Sequence, residues 1–217
     1  MKLSDYVVSF IAKLGVKHIF MLSGGGAMHL VDSVGRNRNI KYICTLHEQA
    51  AAIAAEAYSR LTNNLGVVIV TSGPGGTNTI TGVIGAWLDS IPMLIISGQV
   101  KTETTIIRNP GARQLGDQEI NIVDIVRPIT KYAVMVIDKN KIKYHLQKAI
   151  YLSKSGRPGP AWIDIPLNVQ SAYINESNLE EYDYSDEAVG LNSKTDIVIS
   201  LLKKSERPVI IAGNGIR

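Results

Sequence analysis

The sequence predicts an α/β protein: an open, mostly parallel sheet with helices on both faces, followed by the start of a second α/β domain. Three observations carry that expectation. Strand-length apolar runs alternate with helical patterns through most of the 217 residues, as parallel strands joined by crossover helices require. Two strand-to-helix turns, Leu22-Ser23-Gly24-Gly25-Gly26-Ala27 and Thr71-Ser72-Gly73-Pro74-Gly75-Gly76-Thr77-Asn78, are nearly stripped of side chains, so that backbone can approach something closely. A third turn, His47-Glu48, sets a carboxylate between an apolar run and an alanine-rich helix.

In chain order, Leu3, Val7, Phe10, Ile11 and Leu14 share one helical face, with Ser4 or Asp5 as the expected N-cap. Buried strands are expected over His18–Met21, Ile40–Cys44, Val67–Val70, Met93–Ile96 and Ala161–Asp164, each a short apolar run. Helices are expected over Ala27–Gly35, Gln49–Leu61, Asn78–Leu88 and Lys139–Lys154. Arg108 to Asp124 is polar and aperiodic, and reads as a long functional loop followed by a short helix. These elements define a first domain, residues 1–170. From 171 to 192 the apolar pattern collapses, and Glu176, Glu180, Glu181, Asp183, Asp186 and Glu187 mark an acidic interdomain linker. Residues 193–217 then begin a further domain, a helix over Ser193–Ser205 and a strand at Pro208–Ile211 running into the turn Gly213-Asn214-Gly215. A domain only just begun at Arg217 points to a piece of a longer protein.

In an open parallel sheet, ligands bind at the carboxyl ends of the strands. The turns at Gly24, Glu48 and Pro74 would therefore line one crevice. A carboxyl held there loses hydration, which favours its protonated form, and such a group can donate a proton to a heterocyclic nitrogen. Taken alone, Glu48 also suits a helix N-terminus, where the dipole favours an acid. His47 reads as a strand-end packing or capping group, Glu56 as an ion-pair partner, and Asp89 and Ser90 as residues fixing the turn before Pro92.

Other function classes fit poorly. The net charge is +4, but lysines and arginines are scattered, with no basic block to bind nucleic acid. No Gly-Lys-Ser/Thr follows either glycine turn, and Gly24-Gly25-Gly26 lacks dinucleotide-binding spacing. Four dispersed histidines and one cysteine give no metal-ligand cluster. Cys44 lies in an apolar run and is expected to be a buried, inert thiol, which together with the lack of a signal-peptide layout points to the cytoplasm. The apolar runs are too short to span a membrane.

Together these residues resemble the N-terminal, pyrimidine-binding domain of thiamine diphosphate enzymes, above all the acetolactate synthase-like branch. The motifs are Ser23-Gly24-Gly25-Gly26-Ala27, His47-Glu48-Gln49-Ala50-Ala51, Thr71 to Asn78, Asp89-Ser90-Ile91-Pro92 with Ile96-Ser97-Gly98-Gln99, Arg113 to Glu119, Arg127-Pro128-Ile129-Thr130-Lys131 and Gly156 to Pro166, in order along the whole chain. The resemblance implies a lyase or carboligase that decarboxylates a 2-oxo acid such as pyruvate and passes the remaining fragment to a second carbonyl compound. It implies that Glu48 hydrogen-bonds the pyrimidine N1′ of thiamine diphosphate and so promotes ionisation at the thiazolium C2. Gly24, Gly25, Pro74, Gly75 and Asn78 would enclose the pyrimidine, and Gln118 would face the reacting end. Magnesium and the diphosphate would be held by a Gly-Asp-Gly…Asn motif of a C-terminal domain, which this chain does not contain. The resemblance leaves FAD open as a second cofactor, and implies a homodimer or dimer of dimers with the site between chains. The family usually has Pro at the position of Ser23 and Ala at those of Gly26 and Gly76, changes expected to loosen the pocket rim. A keto-sugar or aldehyde acceptor, and a non-catalytic binding module of the same fold, are the alternatives.

Overall fold

The computed structural model describes residues 1–184 and 195–213. They fall into two compact units, Met1–Tyr182 and Asp183–Arg217.

The first unit is built on one sheet of six strands, all parallel: β1 (His18–Met21), β2 (Lys41–Cys44), β3 (Gly66–Val70), β4 (Met93–Gln99), β5 (Tyr132–Met135) and β6 (Pro160–Pro166). Their order is β2-β1-β3-β4-β6-β5. The chain moves outward from β1 to β2 and then returns to the other side of β1 for β3, so the strand order reverses between β1 and β3. Such a reversal opens a crevice at the strands' carboxyl ends.

Alternation along the strands divides the core into two layers. Ile19, Met21, Val67, Ile69, Leu94, Ile96, Ala161 and Ile163 face one side, with α1 (Leu3–Lys13), α2 (Met28–Arg36), α7 (Ile142–Lys154) and α8 (Leu167–Gln170) over them. Phe20, Val68, Val70, Met93, Ile95 and Trp162 face the other, under α3 (Glu48–Thr62), α5 (Ile80–Leu88) and α6 (Ile122–Val126). Strands β3, β4 and β6 are buried throughout, which is why they read as continuous apolar runs.

The helices start and stop for local reasons. Lys2, not Ser4 or Asp5, is the N-cap of α1, and it makes no side-chain cap. Ser4 is instead buried in the first turn, accepting a hydrogen bond from the Ser33 hydroxyl at 2.9 Å, which ties α1 to α2. Helix α3 ends at Asn63, whose left-handed backbone (φ 53°) suits an asparagine. The helix expected from Asn78 is preceded by a separate short one, α4 (Pro74–Asn78), with Pro74 in its first turn.

Several expectations are corrected. Strand β2 is exposed at all four positions because it is the sheet edge, and Cys44 is an exposed thiol rather than a buried one. Strand β5 went unread: its residues are only half-buried at the opposite edge, beside β6. The linker does not begin at residue 171. Ile174, Leu179 and Tyr182 are buried on the first unit, and Tyr173 bridges to Lys2. Residues 185–192 of that linker lie outside the described residues. In the second unit the expected helix is α9 (Thr195–Lys204), but Pro208–Gly213 carry no strand. A strand needs a ladder partner for its N–H and C=O groups, and none pairs with it among the described residues. Asn214 and Gly215 lie outside them.

Candidate active site

Three strand ends meet at the reversal. The turn after β1 runs Leu22 to Ala27, and Thr71, just past β3, holds it: the Thr71 hydroxyl accepts the Gly26 N–H at 2.9 Å. A Cβ on Gly24 would lie 2.5 Å from the Thr71 Cβ, and one on Gly75 would lie 2.6 Å from the Thr71 methyl. Both glycines are thus required for the turns to close on Thr71. From the other side, Gln170 of α8 donates to the Gly26 carbonyl at 2.7 Å, and a Cβ on Gly98 would overlap that same carbonyl. Gly25 differs. A Cβ there would meet nothing within 4 Å, so it stands exposed at the mouth of the crevice.

Glu48 opens α3 and is only 8% exposed. His47 caps the helix, its ring Nδ1 accepting the Gln49 N–H at 3.1 Å. Capping by His47 leaves the Glu48 carboxylate unused by its own helix. One oxygen, Oε2, accepts from the Asn78 amide at 3.0 Å, and the other, Oε1, faces Gly75. Asn78 is a polar partner for a carboxyl that the sequence sets between an apolar run and an alanine-rich helix. Its role therefore differs from that of a simple wall of the pocket, since it fixes the rotamer of the carboxylate. Pro74 and Asn78 are exposed and Gly75 is buried, so α4 presents its two ends to the crevice.

Gln118 is exposed in the segment between β4 and α6, with a left-handed backbone (φ 56°). Its carbonyl oxygen occupies the space a Gly73 Cβ would need. That contact carries the loop to the start of α4, whose far end reaches Glu48. Glu119 braces the same loop by accepting N–H groups of Ile106, Leu115 (3.0 Å) and Gly116 (3.2 Å). All the residues singled out as site candidates, Gly24, Gly25, Glu48, Pro74, Gly75, Asn78 and Gln118, sit on these three turns and this loop. Glu56 and Asp89 do not. They pair with Arg60 away from the crevice.

The rim is not loosened at Gly26 and Gly76. The Ser72 hydroxyl lies 2.6 Å from where a Gly26 Cβ would sit, and Ile122 lies 3.2 Å from that of Gly76, so neighbouring side chains fill the space.

Sequence reading missed a buried polar cluster behind the crevice. Asp164 of β6 is fully buried; its Oδ1 accepts from Ser97 at 2.6 Å and its Oδ2 from Gln99 at 3.0 Å. Trp162 donates to the Ser97 hydroxyl at 2.8 Å. Burial pushes the Asp164 carboxyl up to about 7, against the opposing pull of the Ser97 and Gln99 hydrogen bonds. The signal was present: an acid in the apolar run Ala161 to Ile165, beside a strand ending Ser97-Gly98-Gln99.

A native carboxyl that holds its proton up to about 7 binds more protons than the unfolded chain above pH 4, so stability falls as pH rises through that window. Asparagine has the shape of the neutral acid. Its oxygen can accept from Gln99, and its amide nitrogen would donate to the Ser97 oxygen, reversing the direction of the bond Ser97 now donates. Asp164→Asn should therefore gain on wild type between about pH 4 and 7 and keep a constant lead above. The gain is about 1.4 kcal/mol for each unit of displacement. Urea midpoints of the two proteins across that range measure it, and a pH-independent difference would show that Asp164 does not titrate there.

Residues 1–125 match the family model described as thiamine pyrophosphate enzyme, N-terminal TPP binding domain. The chain is 37% identical over 221 residues to the acetolactate synthase large subunit of Lactococcus lactis, covering 98% of this chain and 36% of that protein. It is 36% identical to the mitochondrial acetolactate synthase of Schizosaccharomyces pombe, covering 97% and 34% of the two chains. With the acetolactate synthase isozyme 3 large subunit of Escherichia coli the identity is 33%, covering 98% and 37%. The chain thus spans about a third of the length of these curated relatives.

Proposed function

The chain belongs to the thiamine pyrophosphate enzymes through their N-terminal TPP binding domain, and on that premise we propose that it activates thiamine diphosphate in a 2-oxo-acid decarboxylase and carboligase of the acetolactate synthase type. One observation carries the proposal. The near-buried Glu48 carboxyl has one oxygen fixed by Asn78 and the other turned to a floor of glycine backbone at Gly75. That floor suits a flat heteroaromatic ring, because Gly24 and Gly75 let the turns close on Thr71 as bare backbone and a Cβ at Gly25 would meet nothing within 4 Å, and an acid at its edge suits a ring nitrogen.

When bound, thiamine diphosphate supplies the nucleophilic carbon and the electron sink for decarboxylation. The protein supplies position and protons. Glu48 Oε1 holds a proton against the ring nitrogen, and Asn78 keeps that oxygen in register by anchoring Oε2. Backbone at Gly24, Gly25, Pro74 and Gly75 encloses the ring, while Gln118 faces the 2-oxo acid, of which pyruvate is the proposed example. Diphosphate and magnesium are held outside these residues. Among the described residues no group of His, Cys, Asp and Glu is arranged to hold a metal ion.

The proposed assembly is a homodimer or dimer of dimers, with the crevice completed by a second chain. Its open side supports this: Gly25, Pro74, Asn78 and Gln118 are exposed within the first unit, and Leu46 beside them is wholly exposed. The proposed location is the cytoplasm, where the exposed Cys44 thiol would stay reduced.

Calorimetry with thiamine diphosphate and magnesium, and carbon dioxide release from pyruvate, test the proposal in the complete protein that carries this chain. Saturable binding and turnover are expected there. The 217-residue chain alone should give neither tight binding nor sustained turnover, since it lacks the Gly-Asp-Gly…Asn motif. No cofactor binding by the complete protein would overturn the reading.

A further inference from the structure

We infer that Asp164, acting through Gln99, is a positioning residue that holds the Gln118 loop against the crevice. Three contacts fix the Gln99 amide. Its Nε2 donates to Asp164 Oδ2 at 3.0 Å and to the Ile120 carbonyl at 3.1 Å, and its Oε1 accepts the Val100 N–H at 3.0 Å. With Oε1 committed to a backbone N–H, the amide cannot flip, and both its protons point at fixed acceptors. Asp164 cannot shift either, because Ser97 holds its other oxygen and Trp162 holds Ser97. Every member except the Ile120 carbonyl sits on β4 or β6 or directly follows β4, in the middle of the sheet.

Ile120 is the outlying member, and it lies two residues from Gln118. The loop there has no regular structure of its own. The Ile120 side chain packs on the core layer under α3 and its carbonyl also accepts the Ile122 N–H at 2.9 Å, while Gln118 itself is exposed in a left-handed conformation. The Gln118 carbonyl must nevertheless stay in the notch at Gly73. Glu119 braces the loop only to other parts of the same segment, Ile106 and Leu115-Gly116. Gln99 ties it to the rigid sheet. Asp164 is needed because a glutamine bonded to Ile120 alone would leave one buried proton unpaired and free to pull the amide round. The network is small and fully connected, the condition under which buried polar groups impose one geometry.

The consequence for catalysis rests on reading Gln118 as the group facing substrate; the mechanical part does not. Backbone amide hydrogen exchange of the cofactor-free chain tests the mechanical part. Gln99→Met, which keeps the volume and drops both donors, should raise exchange across residues 116–121 at least tenfold while Val68 and Ile69 of β3 keep wild-type protection. Asp164→Leu should do the same, and Asp164→Asn, which can still accept from Gln99, should restore slow exchange. Should Asp164→Leu fail to fold, Gln99→Met carries the test, since Ser97 still holds the carboxyl. Unchanged loop exchange in Gln99→Met, equal acceleration in loop and β3, or no rescue by Asn overturns the inference. In the complete enzyme, Gln99→Met should lower kcat about tenfold with thiamine diphosphate affinity unchanged. Loss of affinity would instead mean that the network serves the cofactor pocket. If the wild-type complete protein binds no thiamine diphosphate, the functional reading falls while the exchange result stands on its own.

Discussion

Glu48→Gln leaves the chain folded and slows cofactor activation in the complete enzyme by about 10²–10⁴-fold, the usual contribution of a general acid–base group. The fold should hold because glutamine has the shape of the protonated acid and its carbonyl oxygen can still accept from Asn78, replacing the bond now made by Oε2 at 3.0 Å. Helix α3 should not unravel either, because its capping comes from His47 rather than Glu48. What the amide loses is the ability to give up and take back a proton at the atom facing Gly75. The chemical step should therefore fall with little change in thiamine diphosphate affinity, since Glu48 makes one contact among many. Hydrogen–deuterium exchange at C2 of the bound cofactor reads the effect directly. An exchange rate equal to that of wild type would remove Glu48 from the catalytic role. Asn78→Ala provides the companion measurement, with a smaller loss, because it frees the carboxylate to rotate without removing it.

The parts of this site that were legible in the sequence are those written as deletions. A strand-to-helix turn without side chains announces close approach, and Gly24, Gly75 and Glu48 fall into one crevice because parallel strands all end on the same side. Residues whose work is done across the sheet left weaker marks. Thr71 reads as an ordinary turn residue, yet its side chain packs where Gly24 and Gly75 have none and bonds Gly26. Gln99 and Asp164 are 65 residues apart, and only the β4–β6 pairing makes them neighbours. The edges were misread for a related reason. Ile40 to Cys44 carries the same apolar letters as a central strand, but β2 pairs with β1 alone and stays exposed. Strand β5 has a comparable run, Tyr132 to Met135, whose half-buried positions blur the pattern at the other edge. Local sequence records how apolar a run is; its neighbours in the sheet decide how much of it is buried.

Gly73→Ala should damage both stability and activity, for reasons that act at one atom. Gly73 has φ 55° and ψ −117°, a backbone conformation that glycine reaches freely and a residue with a Cβ does not. Holding alanine there costs about 1–3 kcal/mol. Its Cβ would also overlap the Gln118 carbonyl oxygen and lie 3.1 Å from the Gln118 Cβ. Either the turn at α4 or the loop must move. The turn is anchored by the Thr77 N–H to the Gly73 carbonyl at 3.0 Å and by Glu48 through Asn78. The loop is exposed at Gln118 and has no regular structure around it, so it should yield first. The variant should thus unfold at lower denaturant by about 1–3 kcal/mol, lose tenfold or more in kcat, and retain most of its C2 exchange, because Glu48 and Asn78 stay in place. Gly25→Ala is the stability control: its Cβ meets nothing within 4 Å, so its unfolding midpoint should match wild type to within about 0.5 kcal/mol. Equal midpoints for the Gly73 variant and wild type would mean that the notch at Gly73 does not constrain the loop. Loss of C2 exchange along with kcat would mean that the turn moved instead, and took Glu48 with it.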